Sequence, residues 1–182
     1  MDTATSAVFH GFPARAYLDK YYRRVGAENT VLLHAVGDFV RAHRGPTASL
    51  IEVAGGPSLF TTMAVAAERG LRFERLTFTD IAWQNLEEVR WWLADDPRGF
   101  DYSELLAWLA SERGRDPGLV VETLRGSRWD LVQRDWLVAD DASFDGSYDV
   151  VSSHFFAESA TSSEDEFLSM LAKVGRLGRP GA

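Results

Sequence analysis

Apolar positions recur at helical spacing from Glu28 to His43, where Val31, Leu32, Ala35, Val36, Phe39 and Val40 form one stripe. Gly45-Pro46 is expected to end that helix. Ala48 to Val53 is a short apolar run with β-branched residues, bounded by Gly55-Gly56-Pro57, and reads as a buried strand. Ser58 to Arg69 reads as a helix closed by Gly70. Phe73 to Thr79 alternates, with Phe73, Arg75 and Thr77 against Glu74, Leu76 and Phe78, and reads as a second strand. Trp83 to Leu93 is helical again. Asp101 with Glu104 makes a capping-box pattern before Leu105 to Ala110, and Asp116-Pro117 opens a helix to about Arg125. Trp129 to Arg134 and Tyr148 to Ser153 read as two more strands. Ser163 with Glu166 opens a helix to about Leu177.

Strand and helix in alternation predict an α/β fold: a mostly parallel sheet with helices on both faces. Ligands of such sheets sit beyond the carboxyl ends of the strands, so the informative residues are those just after each strand.

Composition narrows the field. At 182 residues and 46% hydrophobic, the chain is long and apolar enough to bury a core. A net charge of −8 argues against a nucleic-acid partner. No apolar run reaches the ~20 residues of a membrane helix, and no signal peptide is visible, so a cytoplasmic protein is expected. With no cysteine, thiol nucleophiles and thiolate metal sites are out. Of the basic residues only Lys20 and Lys173 are lysine, which reads as GC-rich coding bias. His34 and His43 read as structural, and no histidine spacing supports a metal.

Ala54-Gly55-Gly56-Pro57-Ser58 follows the first strand and opens a helix. Such a turn admits a ligand to the backbone, with free N–H groups at the helix start. A tight turn without a ligand is the plainer reading. Asp80 follows the second strand and can accept from both hydroxyls of a ribose, or simply cap the next helix. Together the turn and the acid point to an adenosine-containing ligand. Asp135 and Trp136 follow the third strand, where a carboxylate can accept from an adenine amino group; a solvated loop aspartate is as good a reading. His154, after the fourth strand, is the one general-base candidate, set against a satisfied loop histidine.

Three stretches carry a resemblance. They are the glycine turn, Phe78-Thr79-Asp80-Ile81-Ala82-Trp83-Gln84-Asn85-Leu86, and Phe12-Pro13-Ala14-Arg15-Ala16-Tyr17-Leu18-Asp19-Lys20-Tyr21-Tyr22. They resemble the nicotinamide, phenylethanolamine and thioether methyltransferase family, which uses S-adenosylmethionine (SAM); a bacterial member is expected. Glu87 to Asp101, Asp149 to Ser153 and Leu177 to Gly181 are similar to the family as well. The tyrosine segment is the most specific of these.

The resemblance implies a Rossmann-like class I methyltransferase sheet, with a helical cap carrying the tyrosine segment over 1–45 and a SAM-binding core over 46–182. It implies methyl transfer to a small molecule, an amine nitrogen by family analogy. Carried over residue by residue, Tyr22 with Ser58 binds the cofactor's carboxylate, and Tyr17 faces the methyl acceptor. Ala54, Gly55 and Gly56 line the methionine and ribose, and Asp80 holds the ribose hydroxyls beside Asn85. Asp135 and Trp136 flank the adenine, while Ser153 and His154 border the reacting methyl group. Phe60 stands where the family often has a tyrosine, Glu52 replaces its aspartate, and Ala54 replaces its first glycine. A methyl group at Ala54 costs little at negative φ but crowds the ligand at positive φ.

The family's closing Pro-Gly precedes its fifth strand, and the sequence stops there, at Arg179-Pro180-Gly181-Ala182. The expected sheet is therefore cut short after the fourth strand and its following helix, with order 3-2-1-4. An open edge there would favour self-association or completion by another chain. Two alternatives stay open: a degenerate methyltransferase-like binding module, and a dinucleotide-binding oxidoreductase, against which the tyrosine segment argues.

Overall fold

The computed structural model describes residues 9, 11–43, 48–69, 73–138 and 142–180. The stops expected at Gly45-Pro46 and Gly70, and the terminal Gly181-Ala182, lie outside the described residues.

Four strands form one parallel sheet in the order β3-β2-β1-β4. They are β1 (Ser49–Glu52), β2 (Arg75–Asp80), β3 (Trp129–Gln133) and β4 (Val150–Ser152). The order is the expected one. Period-two alternation splits β1 between two cores: Leu50 faces the larger one with Leu76 and Phe78, while Ile51 and Val53 face a smaller one with Tyr148, Ala157 and Met170. Helices therefore cover both faces, as in a Rossmann-like sheet. The strand order reverses between β1 and β4, and a crevice opens there beyond their carboxyl ends.

The helices are α1 (Ala14–Tyr21), α2 (Ala27–Ala42), α3 (Phe60–Arg69), α4 (Trp83–Leu93), α5 (Ser103–Arg113), α6 (Pro117–Arg125), α7 (Phe156–Ala160) and α8 (Glu164–Gly175). A 3₁₀ turn spans Ala142–Phe144. Asp116 caps α6 through Gly118 N, as Asp-Pro predicts. Ser163 caps α8 through Glu166 N, and the Glu166 carboxylate accepts from Ser162 N at 2.9 Å.

Three expectations need correction. α2 buries only part of the predicted stripe: Val40 is buried and Val36 packs on the core, but Val31 and Phe39 are 70% and 58% exposed, and Leu33 and Gly37 face inward in their place. The reason is Arg113 of α5, which reaches across Gly37 to the carbonyls of Leu33 and His34 and pairs with buried Glu68 at 3.3 Å. A side chain at position 37 would block it. Asp101 does not cap α5; it accepts from Ser103 N in a turn, and Tyr102 takes the cap position without a side-chain bond. The fourth strand is only Val150–Ser152, because Tyr148 bridges Gly178 instead of joining β1.

Candidate functional site

A cleft of about 290 Å³ opens at the crevice. It gathers most of the residues to which the resemblance gave a role: Tyr17, Tyr22, Ala54, Gly55, Gly56, Ser58, Phe60, Asp80, Asn85, Asp135, Trp136 and His154 all line it. Ser153 does not. Glu52 of β1 and Ser152 of β4 are register partners, and alternation sends Ser152 and His154 to the Glu52 side and Ser153 away.

The floor is the turn after β1. Ala54 sits at φ 51° and Gly56 at φ 65°. Gly55 is packed so closely that an added Cβ would lie 2.5 Å from Phe78 and 2.6 Å from Glu52. The left-handed conformation costs an L-residue about 1–2 kcal/mol, part of which glycine loses to its unfolded-state freedom. Ala54→Gly is therefore expected to raise the melting temperature by a few degrees and to leave ligand affinity equal or tighter. A lower melting temperature would show that the methyl group is packed, not strained.

Two side chains tie this turn down. Thr79 at the end of β2 donates to Glu52 O at 3.0 Å and accepts from Ala54 N at 3.2 Å and from the Trp136 indole at 2.8 Å. Tyr102, buried under α4 and α5, accepts from Leu59 N at 3.0 Å and donates to Pro57 O. Burial pushes its phenol well above the ordinary value. Ser58 accepts from Phe60 N and so starts α3.

Asp80 closes one side. Its Oδ2 accepts from Gly56 N at 2.8 Å, and its Oδ1 accepts from Ala82 N at 2.8 Å and Asn85 Nδ2 at 3.0 Å. Asp80 does not N-cap α4: Ala82 holds the cap position without a side-chain bond, and the bond to Ala82 N closes the turn before the helix. Burial holds its carboxyl above the usual range despite these donors. Beside it, the buried Asn85 Oδ1 has no hydrogen-bond partner. Asp135 accepts from Leu137 N, and Trp136 lies buried under the Arg134 guanidinium at 4.5 Å.

The roof is aromatic. Tyr17 stands 5.3 Å from Phe12 and 5.9 Å from Tyr22, whose ring meets Phe60 edge-on at 5.3 Å. Burial raises the pKa of both tyrosines, Tyr22 the more. Arg15 of α1 fastens this roof: its Nη2 lies 2.5 Å from Glu88 on α4, a carboxylate only 4% exposed, and also reaches Arg98 O.

Glu52 is the main residue the sequence reading left aside. An acid inside the apolar run Leu50-Ile51-Glu52-Val53 is itself a signal, because a charge seldom enters a core unpaired. It is 2% exposed, accepts from Thr61 at 3.0 Å and lies 4.0 Å from His154 Nε2. Burial raises its pKa, and the nearby imidazole offsets part of the shift. A carboxyl raised on folding contributes stability below its unfolded pKa, near 4.3, and that contribution is lost as pH rises through the folded value. Glu52→Gln removes this slope. Its melting temperature is expected to gain on the wild type as pH rises from 4 to 8. A constant difference across that range would contradict the buried-charge account.

A sequence model described as the NNMT/PNMT/TEMT family matches residues 2–182. The chain belongs to this family. Curated relatives of the family chain include human (Homo sapiens) nicotinamide N-methyltransferase, 27% identical over 120 residues, which are 62% of this chain and 43% of the relative. The pig (Sus scrofa) protein of the same name is 26% identical over the same shares. Bovine (Bos taurus) phenylethanolamine N-methyltransferase is 34% identical over 55 residues, 30% of this chain and 18% of the relative. The matches thus span less than half the length of these relatives. Among the described residues no helix is long and apolar enough to cross a membrane.

Proposed function

We propose that the cleft binds S-adenosylmethionine and that the chain takes part in transferring its methyl group to a small molecule, by the relatives' names an amine nitrogen. The observation that carries this reading is the convergence of the tyrosine segment, the strained glycine turn and Asp80 on one cleft.

The residues present fit such a ligand. Asn85 offers an orphaned buried acceptor, and Asp80 Oδ2, with one donor, keeps room for a second. A ribose hydroxyl satisfies either; since Oδ1 already takes two donors, Asp80 and Asn85 share the ribose rather than Asp80 alone. The left-handed turn lets the backbone approach the ligand. Trp136, fixed by Thr79, supplies an apolar wall for the adenine. Tyr17 and Tyr22 close over the other end. When bound, the cofactor supplies an already activated methyl group, so the protein's part is alignment and exclusion of water. The aromatic roof, pinned by the Arg15–Glu88 pair, is suited to both tasks.

Tyr22→Phe tests the assignment. On this reading its hydroxyl meets the carboxylate of the cofactor's amino-acid end, which adenosine lacks. The variant is expected to weaken S-adenosylhomocysteine about tenfold and to leave adenosine unchanged, as read by calorimetry. Equal weakening of both ligands would make the segment a packed lid and not a contact.

A further inference from the structure

The buried carboxylate of Glu52 has a path to the cleft. Glu52 and Ser152 sit side by side across the β1–β4 ladder. Alternation puts their side chains on the same side of the sheet, and His154 Nε2 lies 2.9 Å from the Ser152 hydroxyl and 4.0 Å from Glu52 Oε1. His154, two residues further on, lines the cleft and is 24% exposed. A hydroxyl between an imidazole and a carboxylate can donate to one while accepting from the other. Carboxylate, hydroxyl and imidazole thus cluster on one side of the sheet, from the core to the cleft surface. Phe155 and Phe156, the next two residues after His154, line the same cleft.

We propose that Glu52, Ser152 and His154 form a proton relay, and that the methyl acceptor is an N–H, S–H or O–H nucleophile that sheds a proton, not a ring nitrogen that has none. This rests on the methyl-transfer reading above. In the step, the bond from the methyl carbon to sulfur breaks and its electron pair stays on sulfur. The acceptor atom forms the new bond to the methyl carbon. Its proton passes to His154 Nδ1, the nitrogen that Ser152 does not engage. The Nε2 proton then shifts to Ser152 Oγ as the hydroxyl proton moves to Glu52. A ring nitrogen without a proton, such as that of a pyridine, needs no such chain. The other ionisable groups on this cleft are Tyr17, Tyr22, Asp80, Arg134 and Asp135. None of them has a hydrogen bond to His154 among those described.

The test uses para-nitrophenol, an O–H probe that is coloured only as its anion, bound to the intact chain. The relay is expected to ionise the bound dye about one pH unit below the free dye, a tenfold gain in anion at a given pH. His154→Gln should abolish the shift, and Glu52→Gln and Ser152→Ala should each reduce it, with Glu52→Gln also reporting whether the core tolerates the change. A bound dye that titrates like the free one, a shift that survives His154→Gln, or no binding of the dye at all would each overturn the proposal. Calorimetry with S-adenosylhomocysteine on the same samples separates the two readings. A dye shift without cofactor binding sinks the methyl-transfer reading and leaves the relay; cofactor binding without a dye shift does the reverse.

Discussion

Asp80→Ala should weaken S-adenosylhomocysteine by about tenfold to a hundredfold and unfold the protein at a lower temperature. A charge-assisted hydrogen bond to a ligand hydroxyl contributes roughly 1.5–3 kcal/mol, which sets the binding loss. The stability loss has a separate source. Gly56 N, Ala82 N and Asn85 Nδ2 all donate to this carboxylate, and alanine orphans all three. Each buried orphan costs about 1–3 kcal/mol where water cannot replace the acceptor. The costs will not add fully, because the turn can relax toward the cleft. Asp80→Asn keeps one acceptor oxygen and should fall between alanine and wild type in both readouts. Calorimetry and thermal melts check the pair. An unchanged dissociation constant would remove Asp80 from the ligand site.

Thr79→Val is the second large effect. Valine matches threonine in shape, so packing is kept and only the hydroxyl is lost. That hydroxyl receives Ala54 N and the Trp136 indole and is fully buried. Two orphaned donors at about 1–3 kcal/mol each are expected to lower stability well beyond an ordinary core substitution. Ligand affinity should fall as well, because the glycine turn and the adenine wall lose their common anchor. Thr79→Ser restores the hydroxyl and should recover most of both. If valine is tolerated like serine, the turn and Trp136 are held by packing alone.

Neither hub could be read from the sequence. Thr79 looks like one more β-branched strand residue, and its bond to Trp136 spans 57 positions. Tyr102 meets Leu59 across 43 positions. Such partners are set by topology, not by local pattern. What local pattern did carry was the sheet: β1, β2 and β3 each follow a run of apolar or β-branched residues, and their order follows from the parallel crossovers. The short helices leave little local pattern for a physical reason. α1 buries only Ala14 and Leu18, too few to make a periodic stripe, so only the resemblance pointed to a helical cap there; α7 has five residues and follows Phe155, whose φ of 57° has no signature in a bulky side chain. The candidate site was legible because its residues follow strand ends or fall in the tyrosine segment. Glu52 was seen there only as a departure from a motif, since its partner His154 is distant in sequence.

The claim on which the rest depends is that the cleft holds an S-adenosyl ligand. Isothermal titration of the intact chain with S-adenosylhomocysteine, with NAD as the rival ligand, tests it most directly. The account predicts a single saturable site for S-adenosylhomocysteine, abolished or strongly weakened by Asp80→Ala, and no heat from NAD. Binding of NAD in preference, or no binding of S-adenosylhomocysteine to a folded chain, would contradict it.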